Sequence, residues 1–367
     1  MAHLTRKLVL FLSGLAVLFA AASVYFELRV RSQSNFYRQV AQFKDPATRP
    51  TVLLVGDSRM AVNITPDHLP PDVYNFSYPG ETMRHLYLRV KYALKEKPSI
   101  KVLVIGLEDV LFSDARARLR DAVRQMAFAD LADLTEVYPV SPRFLLRHVV
   151  VHYLPLINAD QRRRTWDAWL DDMQSAISGQ KAEAAERLPC GGIRFQQKGQ
   201  WGETDRKERQ TKARQRVDRL LGGSASNPEM RAVFGDILRL ARRHGVRVIG
   251  LRNPVSGAYL DAARNYRAAP LLAFLDPGKL DGMLDYIDLF AESPDKFYNA
   301  DHLNPDGSVL FTELLLDDLR RLVPINGVAA ERCDAGTVPT PLVWPYNDVL
   351  SRWLSVDTNL NDYVNRA

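Results

Sequence analysis

An α/β fold, a parallel sheet with helices packed on its faces, is predicted by three features of the sequence. Short β-branched and leucine runs each end in or just beyond a glycine, amphipathic helical segments lie between them, and the runs are apolar over most of their length. Continuous apolarity is what a strand buried on both faces requires. A chain of 367 residues is long enough for one large α/β domain with insertions, or for two modest domains.

From the N-terminus, the first element is apolar. Arg6 and Lys7 precede a run without charges, Leu8 to Phe26, and charge returns at Glu27, Arg29 and Arg31. At about 1.5 Å per residue this run makes a helix roughly 28 Å long, close to the hydrocarbon thickness of a bilayer. Residues 1–28 are therefore expected to form a single-pass membrane anchor. Basic residues ahead of the run favour a cytoplasmic N-terminus and an exported body. A cleaved signal peptide is the competing reading, since Ala20, Ala21 and Ala22 are the small residues a signal peptidase accepts. The apolar run continues past them through Val24, Tyr25 and Phe26, which favours the anchor.

Residues 29–50 are polar with a few aromatics and read as a helical neck. Thr51–Val55, ending at Gly56, reads as the first buried strand. Lys101–Ile105 with Gly106, and Val246–Leu251 around Gly250, read as two more. Between the first two lie a brief strand, Val73 to Phe76, and an amphipathic helix from about Thr82 to Lys95. A helix over Asn227–His244 precedes the third run, with Met230, Val233, Phe234, Ile237, Leu238 and Leu240 at helical spacing. The helical, charge-rich stretch at about 111–226 is too long for a simple connection and reads as an insertion. A last helix runs from Ser308 to about Leu322. The domain thus spans 51–322, and the tail 323–367, with Pro339, Pro341, Trp344, Pro345 and Trp353, is expected to pack on its surface.

Charge and cysteine usage narrow the function classes. The 49 basic and 43 acidic residues leave a net charge of +6, a small excess that does not imply nucleic-acid binding. Arg162-Arg163-Arg164 and the run Arg206, Lys207, Arg209, Lys212, Arg214, Arg216 and Arg219 carry much of it. They read as a solvated helix face, or as a contact with anionic polysaccharide or lipid headgroups. Cys190 and Cys333 lack metal-type spacing; in an oxidising compartment they form one long-range disulfide or remain separate. Asp301 and Asp306 read as turn residues, and neither a metal nor a cofactor is expected.

Gly56-Asp57-Ser58-Arg59 follows the first strand directly, which places Ser58 at the top of the sheet, where ligand crevices of parallel sheets lie. A serine hydroxyl needs a base within hydrogen-bond reach to act as a nucleophile. His302 has the context for that role, in Asn299-Ala300-Asp301-His302-Leu303-Asn304-Pro305-Asp306-Gly307 ahead of the last helix. The two blocks and their order resemble the SGNH/GDSL hydrolases, over 51–322 outside the insertion. That resemblance implies a flavodoxin-like α/β/α three-layer sandwich, with Ser58 as nucleophile and His302 as general base. It also implies that the backbone N–H groups of Ser58 and of Gly80, in Ser77-Tyr78-Pro79-Gly80, cradle the developing oxyanion. A plain turn glycine beside Pro79 is the other reading of Gly80.

Two positions depart from the family pattern. In Gly106-Leu107-Glu108-Asp109, Glu108 stands where the family has an asparagine donor, and an ionised carboxylate aimed at an oxyanion opposes the reaction. Glu108 must therefore point elsewhere, be protonated or mark lost activity. Asn299 occupies the place of the acid that orients the histidine, and Asp301 is the alternative partner. Arg59 and Glu108 are candidates for contact with substrate; Arg59 otherwise pairs with Asp57 or a neighbour. His85 either approaches the mouth of the site or is an ordinary helix-surface residue.

Anchored relatives with such blocks resemble the proteins that O-acetylate bacterial surface polysaccharides, of the alginate O-acetyltransferase kind. The resemblance implies a single-pass inner-membrane protein with its body in the periplasm, acting as a serine O-acyltransferase. Its acyl group would come from a multi-spanning membrane acyltransferase partner and pass to a polysaccharide hydroxyl. An esterase or deacylase, and a catalytically degenerate polysaccharide-binding or scaffold protein of the envelope, are the alternatives.

Overall fold

The structure, a computed structural model, describes residues 2–323 apart from 32–33, 119–122, 140, 154–155, 157–158, 179–189, 195–198, 200, 222–225 and 266–278. The chain opens with α1 (Ala2–Tyr25), a π-helical turn over Phe26–Arg31, and α2 (Asn35–Lys44). Then come β1 (Val52–Val55), α3 (Ser58–Asn63), β2 (Val73–Asn75), α4 (Met83–Glu96) and β3 (Val102–Gly106). Among the described residues the helices α5 (Asp114–Ala117), α6 (Leu131–Val137), α7 (Pro142–Tyr153), α8 (Ala159–Ser178) and α9 (Arg206–Leu221) follow. The described part closes with α10 (Pro228–Arg243), β4 (Arg247–Arg252), α11 (Gly257–Asn265), β5 (Gly282–Asp285) and α12 (Pro305–Leu322).

The strands form one parallel sheet in the order β2-β1-β3-β4-β5. From β1 the chain passes to β2 on one side and then to β3 on the other, so the topology switches between β1 and β3, paired from Val52 with Val102 to Val55 with Ile105. Such a switch opens a crevice beyond the carboxyl ends of the two strands. Successive side chains point to opposite faces, and both faces are apolar. Leu53, Val55, Leu103, Ile105 and Val248 enter one core with α2, α4 and α10; Val52, Leu54, Val102, Val104, Ile249 and Leu251 enter the other with α9, α11 and α12.

Several elements differ from the sequence reading. β5 was not expected, because Gly-Met-Leu-Asp is short, lies at the sheet edge and is only half buried. α12 begins at Pro305 because Asn304 caps it, accepting from the Gly307 N–H at 2.9 Å. Within the neck span, Phe36, Val40 and Phe43 of α2 are fully buried in the domain core, and Gln39 Nε2 donates to the carbonyls of Asn75 and Ser77 at 2.8 and 3.1 Å. The stretch expected as an insertion also feeds the core, through Trp201 and through Ala213, Val217 and Leu221 of α9. Cys190 is buried and disulfide-bonded; Cys333 and the tail 324–367 lie outside the described residues.

Among the described residues one helix, His3–Arg31, is long and apolar enough to cross a membrane, and its leucines, valines and phenylalanines up to Val24 are mostly exposed.

Phe43 stacks on Phe76 of the sheet-end loop, with ring centroids 4.5 Å apart. Phe43→Ala is expected to lower the unfolding free energy by about 3–5 kcal/mol in denaturant titration. A loss below about 1 kcal/mol would mean that α2 is a loosely held linker.

Candidate active site

The first strand ends at Gly56, and Asp57 caps α3 by accepting the Arg59 N–H at 2.9 Å. Gly56 and Gly106, at the ends of β1 and β3, leave room for one side chain: a Cβ on Gly56 would stand 2.2 Å from Met60 Cγ, and one on Gly106 2.9 Å. Met60 therefore seats α3 directly over the switch point. Ser58, as the first residue of α3, has an N–H with no acceptor within the helix, and it is half-buried.

The histidine loop is built by hydrogen bonds of its own backbone. Phe297 and Leu303 form an antiparallel bridge, Tyr298 N–H donates to the His302 carbonyl at 2.9 Å, and Asn299 Oδ1 accepts from the N–H groups of Asp301 and His302, both at 3.0 Å. Leu303 N–H then donates to Asn63 Oδ1 at 2.9 Å, which ties the loop to α3. The result is a contact between residues 244 apart in sequence: His302 Nε2 lies 2.9 Å from Ser58 Oγ.

The tautomer follows from the neighbours. His302 Nδ1 faces Asn299 Oδ1 at 3.1 Å and Asp301 Oδ1 at 3.4 Å, and both are acceptors, so Nδ1 carries the proton and Nε2 is free to accept from Ser58. Asn299 and Asp301 thus share the support of one ring: the amide oxygen holds it in place, and the adjacent carboxylate supplies negative charge. Burial lowers the His302 pKa from its ordinary value, with Arg216 and Arg59 adding to the shift and Asp301 opposing it. Burial alone would raise the Asp301 carboxyl, but His302, Arg59 and Arg216 overcome it and hold it down at about 2. Asp301 is therefore charged wherever His302 titrates.

Arg59 and Glu108, the candidates for contact with substrate, are buried against each other. Their side chains are each 1% exposed and joined to one another, Nη1 to Oε2 at 2.5 Å. Arg59 Nη2 also donates to the Tyr259 hydroxyl at 2.7 Å and lies 3.4 Å from Asp301 Oδ2. Glu108 Oε1 accepts from the side chain and backbone N–H of Asn253 at 2.6 and 3.2 Å. Its carboxylate is thus taken up by Arg59 and Asn253, which removes the repulsion that its place in the motif suggested. Burial pushes the Glu108 carboxyl up to about 6, Arg59 and Asn253 pulling the other way.

Arg216 of α9 completes the network, a role the sequence did not reveal. It donates from Nε to both Asp301 oxygens at 3.0 and 3.1 Å, and from Nη2 to Oδ2 at 3.0 Å. Its signal was helical phase. Ala213, Val217 and Leu221 mark the buried stripe of α9, and Arg216 flanks that stripe, whereas its basic neighbours Arg214 and Arg219 lie on the exposed side.

Gly80 has φ +80°, and a Cβ there would meet nothing nearer than Arg124 Nη2 at 3.8 Å, so backbone conformation and not crowding favours glycine. The loop before it is tied to the turn that carries Ser58 by Tyr78 N–H to the Gly56 carbonyl at 3.4 Å. The residue after it, Glu81, is fully buried against Arg89 at 3.1 Å and Gln125 at 3.3 Å. His85 is buried, not on the surface: it forms a capping box with Thr82, and its Nδ1 lies 3.5 Å from Glu81.

Removing one member of a buried charge network strands the others. Arg59→Met is expected to cost about 3–5 kcal/mol of unfolding free energy, and Arg59→Met/Glu108→Leu distinctly less, measured by denaturant titration. A single variant as stable as wild type would contradict the buried network.

Compared with protein-family models and with curated proteins, the chain matches none, so the reading of the site rests on its own geometry.

Proposed function

We propose that the chain is a membrane-anchored serine acyl-ester enzyme of the SGNH kind, an O-acyltransferase acting on a cell-surface polysaccharide from the periplasmic side of the inner membrane. The observation that carries this reading is the 2.9 Å contact of Ser58 Oγ with His302 Nε2, backed at Nδ1 by Asn299 and Asp301. The apolar α1 supports the tether. A half-buried serine at the switch point of a parallel sheet supports the crevice as the place of reaction.

In this reading Ser58 Oγ attacks the carbonyl carbon of an acyl donor while its proton passes to His302 Nε2. The bond to the leaving oxygen then breaks, and that oxygen takes the proton from His302. The acyl group now rests on Ser58. A polysaccharide hydroxyl repeats the sequence: its proton goes to His302, its oxygen bonds to the acyl carbon, and Ser58 Oγ leaves and recovers the proton. The Ser58 and Gly80 N–H groups are the donors proposed for the oxyanion in both halves. A multi-spanning membrane acyltransferase is the partner proposed to supply the donor.

Intact-mass spectrometry after incubation with an activated aryl acetate is the direct test. A single acetyl adduct on wild type, absent from Ser58→Ala, is expected; no adduct and no ester turnover by the folded protein would remove the reading. Rapid loss of the adduct in water would favour an esterase, and loss that waits for a glycan acceptor would favour transfer.

The pH dependence has a defined sign. His302 must be unprotonated to act, and its lowered pKa places the acid limb of kcat/KM below the ordinary histidine value of about 6.5. Asp301→Asn removes the charge that raises His302, so the limb should move to still lower pH while kcat falls by about 10²–10⁴-fold. A limb that stays in place would show that Asp301 does not act on His302.

A further inference from the structure

The N-terminal helix and α8 meet at one carboxylate. The Tyr25 hydroxyl donates to Asp172 Oδ2 at 2.6 Å, and Arg29 Nε lies 2.8 and 2.9 Å from the two Asp172 oxygens. The π-helical turn after α1 also packs along α8. Tyr25 and Arg29 fall where the apolar run ends and charges return. If α1 spans a bilayer, Asp172 therefore stands at the membrane–water boundary, where Tyr and Trp concentrate and basic residues anchor helix ends.

On α8 the side chains of Trp166, Trp169, Leu170 and Met173 are all exposed, between 40% and 59%. They stand at i, i+3, i+4 and i+7, which is one continuous stripe of a helix. Trp166 and Trp169 lie against each other, with centroids 5.0 Å apart. Thr165, which is buried, and Asp172, which holds the anchor, lie on the neighbouring side of the helix, about a quarter-turn from the middle of the stripe. A tryptophan-led apolar stripe in water is unfavourable for a soluble surface. It suits a headgroup layer, because an indole has an apolar body and a polar N–H.

We propose that α8 lies along the surface of the bilayer that holds α1, with Trp166, Trp169, Leu170 and Met173 set into the headgroup region. The inference rests on the reading of α1 as a membrane span. Continuity decides the occupant: the stripe begins on the very helix that clasps the end of the anchor, so the nearest apolar phase is the membrane itself. Two attachments would fix the orientation of the domain, where a single helix would leave it free to turn. The crevice at Ser58 would then face acyl donors and acceptors at a set height above the membrane.

Hydroxyl-radical footprinting of the full-length wild-type chain in phosphatidylethanolamine–phosphatidylglycerol vesicles tests this without any substitution. Leu310 and Leu314 of α12, exposed by 42% and 43%, serve as water-facing references. The expected result is protection of Leu8–Val24 together with several-fold protection of Trp166, Trp169 and Met173 after allowance for intrinsic reactivity. Protection of Leu8–Val24 with a fully labelled stripe would overturn the proposal and leave the anchor standing. Labelling of both would remove the two together. Stripe protection that disappears when the protein is diluted in the bilayer would assign the surface to a second copy of the chain, and so would also overturn the proposal.

Discussion

A guanidinium buried behind Ser58 is the constraint on which the candidate site depends. Arg59 follows Ser58 directly, cannot reach water, and must therefore be met by charge within the protein. Burial works against its cation, and Tyr259, Glu108 and Asp301 more than offset that, so its pKa lies well above the usual arginine value. The three partners come from α11, from the end of β3 and from the histidine loop. One cation thus draws together the segments that a parallel sheet leaves open at its carboxyl edge, and Arg216 balances the second carboxylate from α9. In the directly bonded set, two arginines face two carboxylates.

If the chain is of the SGNH kind proposed above, that pairing would explain why the two departures from the pattern come together. A glutamate in place of the asparagine donor would be harmful alone, because its charge would face a developing oxyanion. Beside a buried Arg59 it is the required counter-ion. Asn299 in place of an acid would weaken the histidine alone, yet Asp301, two residues on, brings a carboxylate to 3.4 Å of the same ring nitrogen. The loop can present both because Asn299 Oδ1 accepts the N–H groups of Asp301 and His302 and so folds the chain back on itself. Asn299 and Asp301 then both face one imidazole.

What was legible in the sequence was what short-range pattern encodes. Ser58 and His302 stood out because each sits where a strand or a loop hands over to a helix, and such places carry turn residues. β1, β3 and β4 were legible as apolar runs closed by glycine. Arg216 was hidden because its partner lies 85 residues away and it is one of many basic residues on α9. Glu108 was legible as an anomaly, but its resolution needed the distance to Arg59, which no local pattern contains. α2 was misleading for the opposite reason: its polar residues outnumber Phe36, Val40 and Phe43, although those three lie one turn apart and are what the core receives.

The clamp on Asp301 bears on which acyl acceptor the site would favour in the function proposed here. A triad carboxylate lowers the barrier by stabilising the imidazolium that forms as the nucleophile loses its proton. Asp301 already serves two guanidiniums, and its field at His302 is partly cancelled by Arg216 and Arg59, which push the imidazole toward neutrality. A histidine so placed deprotonates a nucleophile with less assistance. Water, held by nothing, would gain least from it. A hydroxyl positioned by the rest of a bound polymer compensates through orientation, since placing the attacking oxygen against the acyl carbon substitutes for part of the base strength. A slow base beside a well-placed acceptor is therefore a physical route to transfer over hydrolysis, and the same arginines that complete the fold would set that preference.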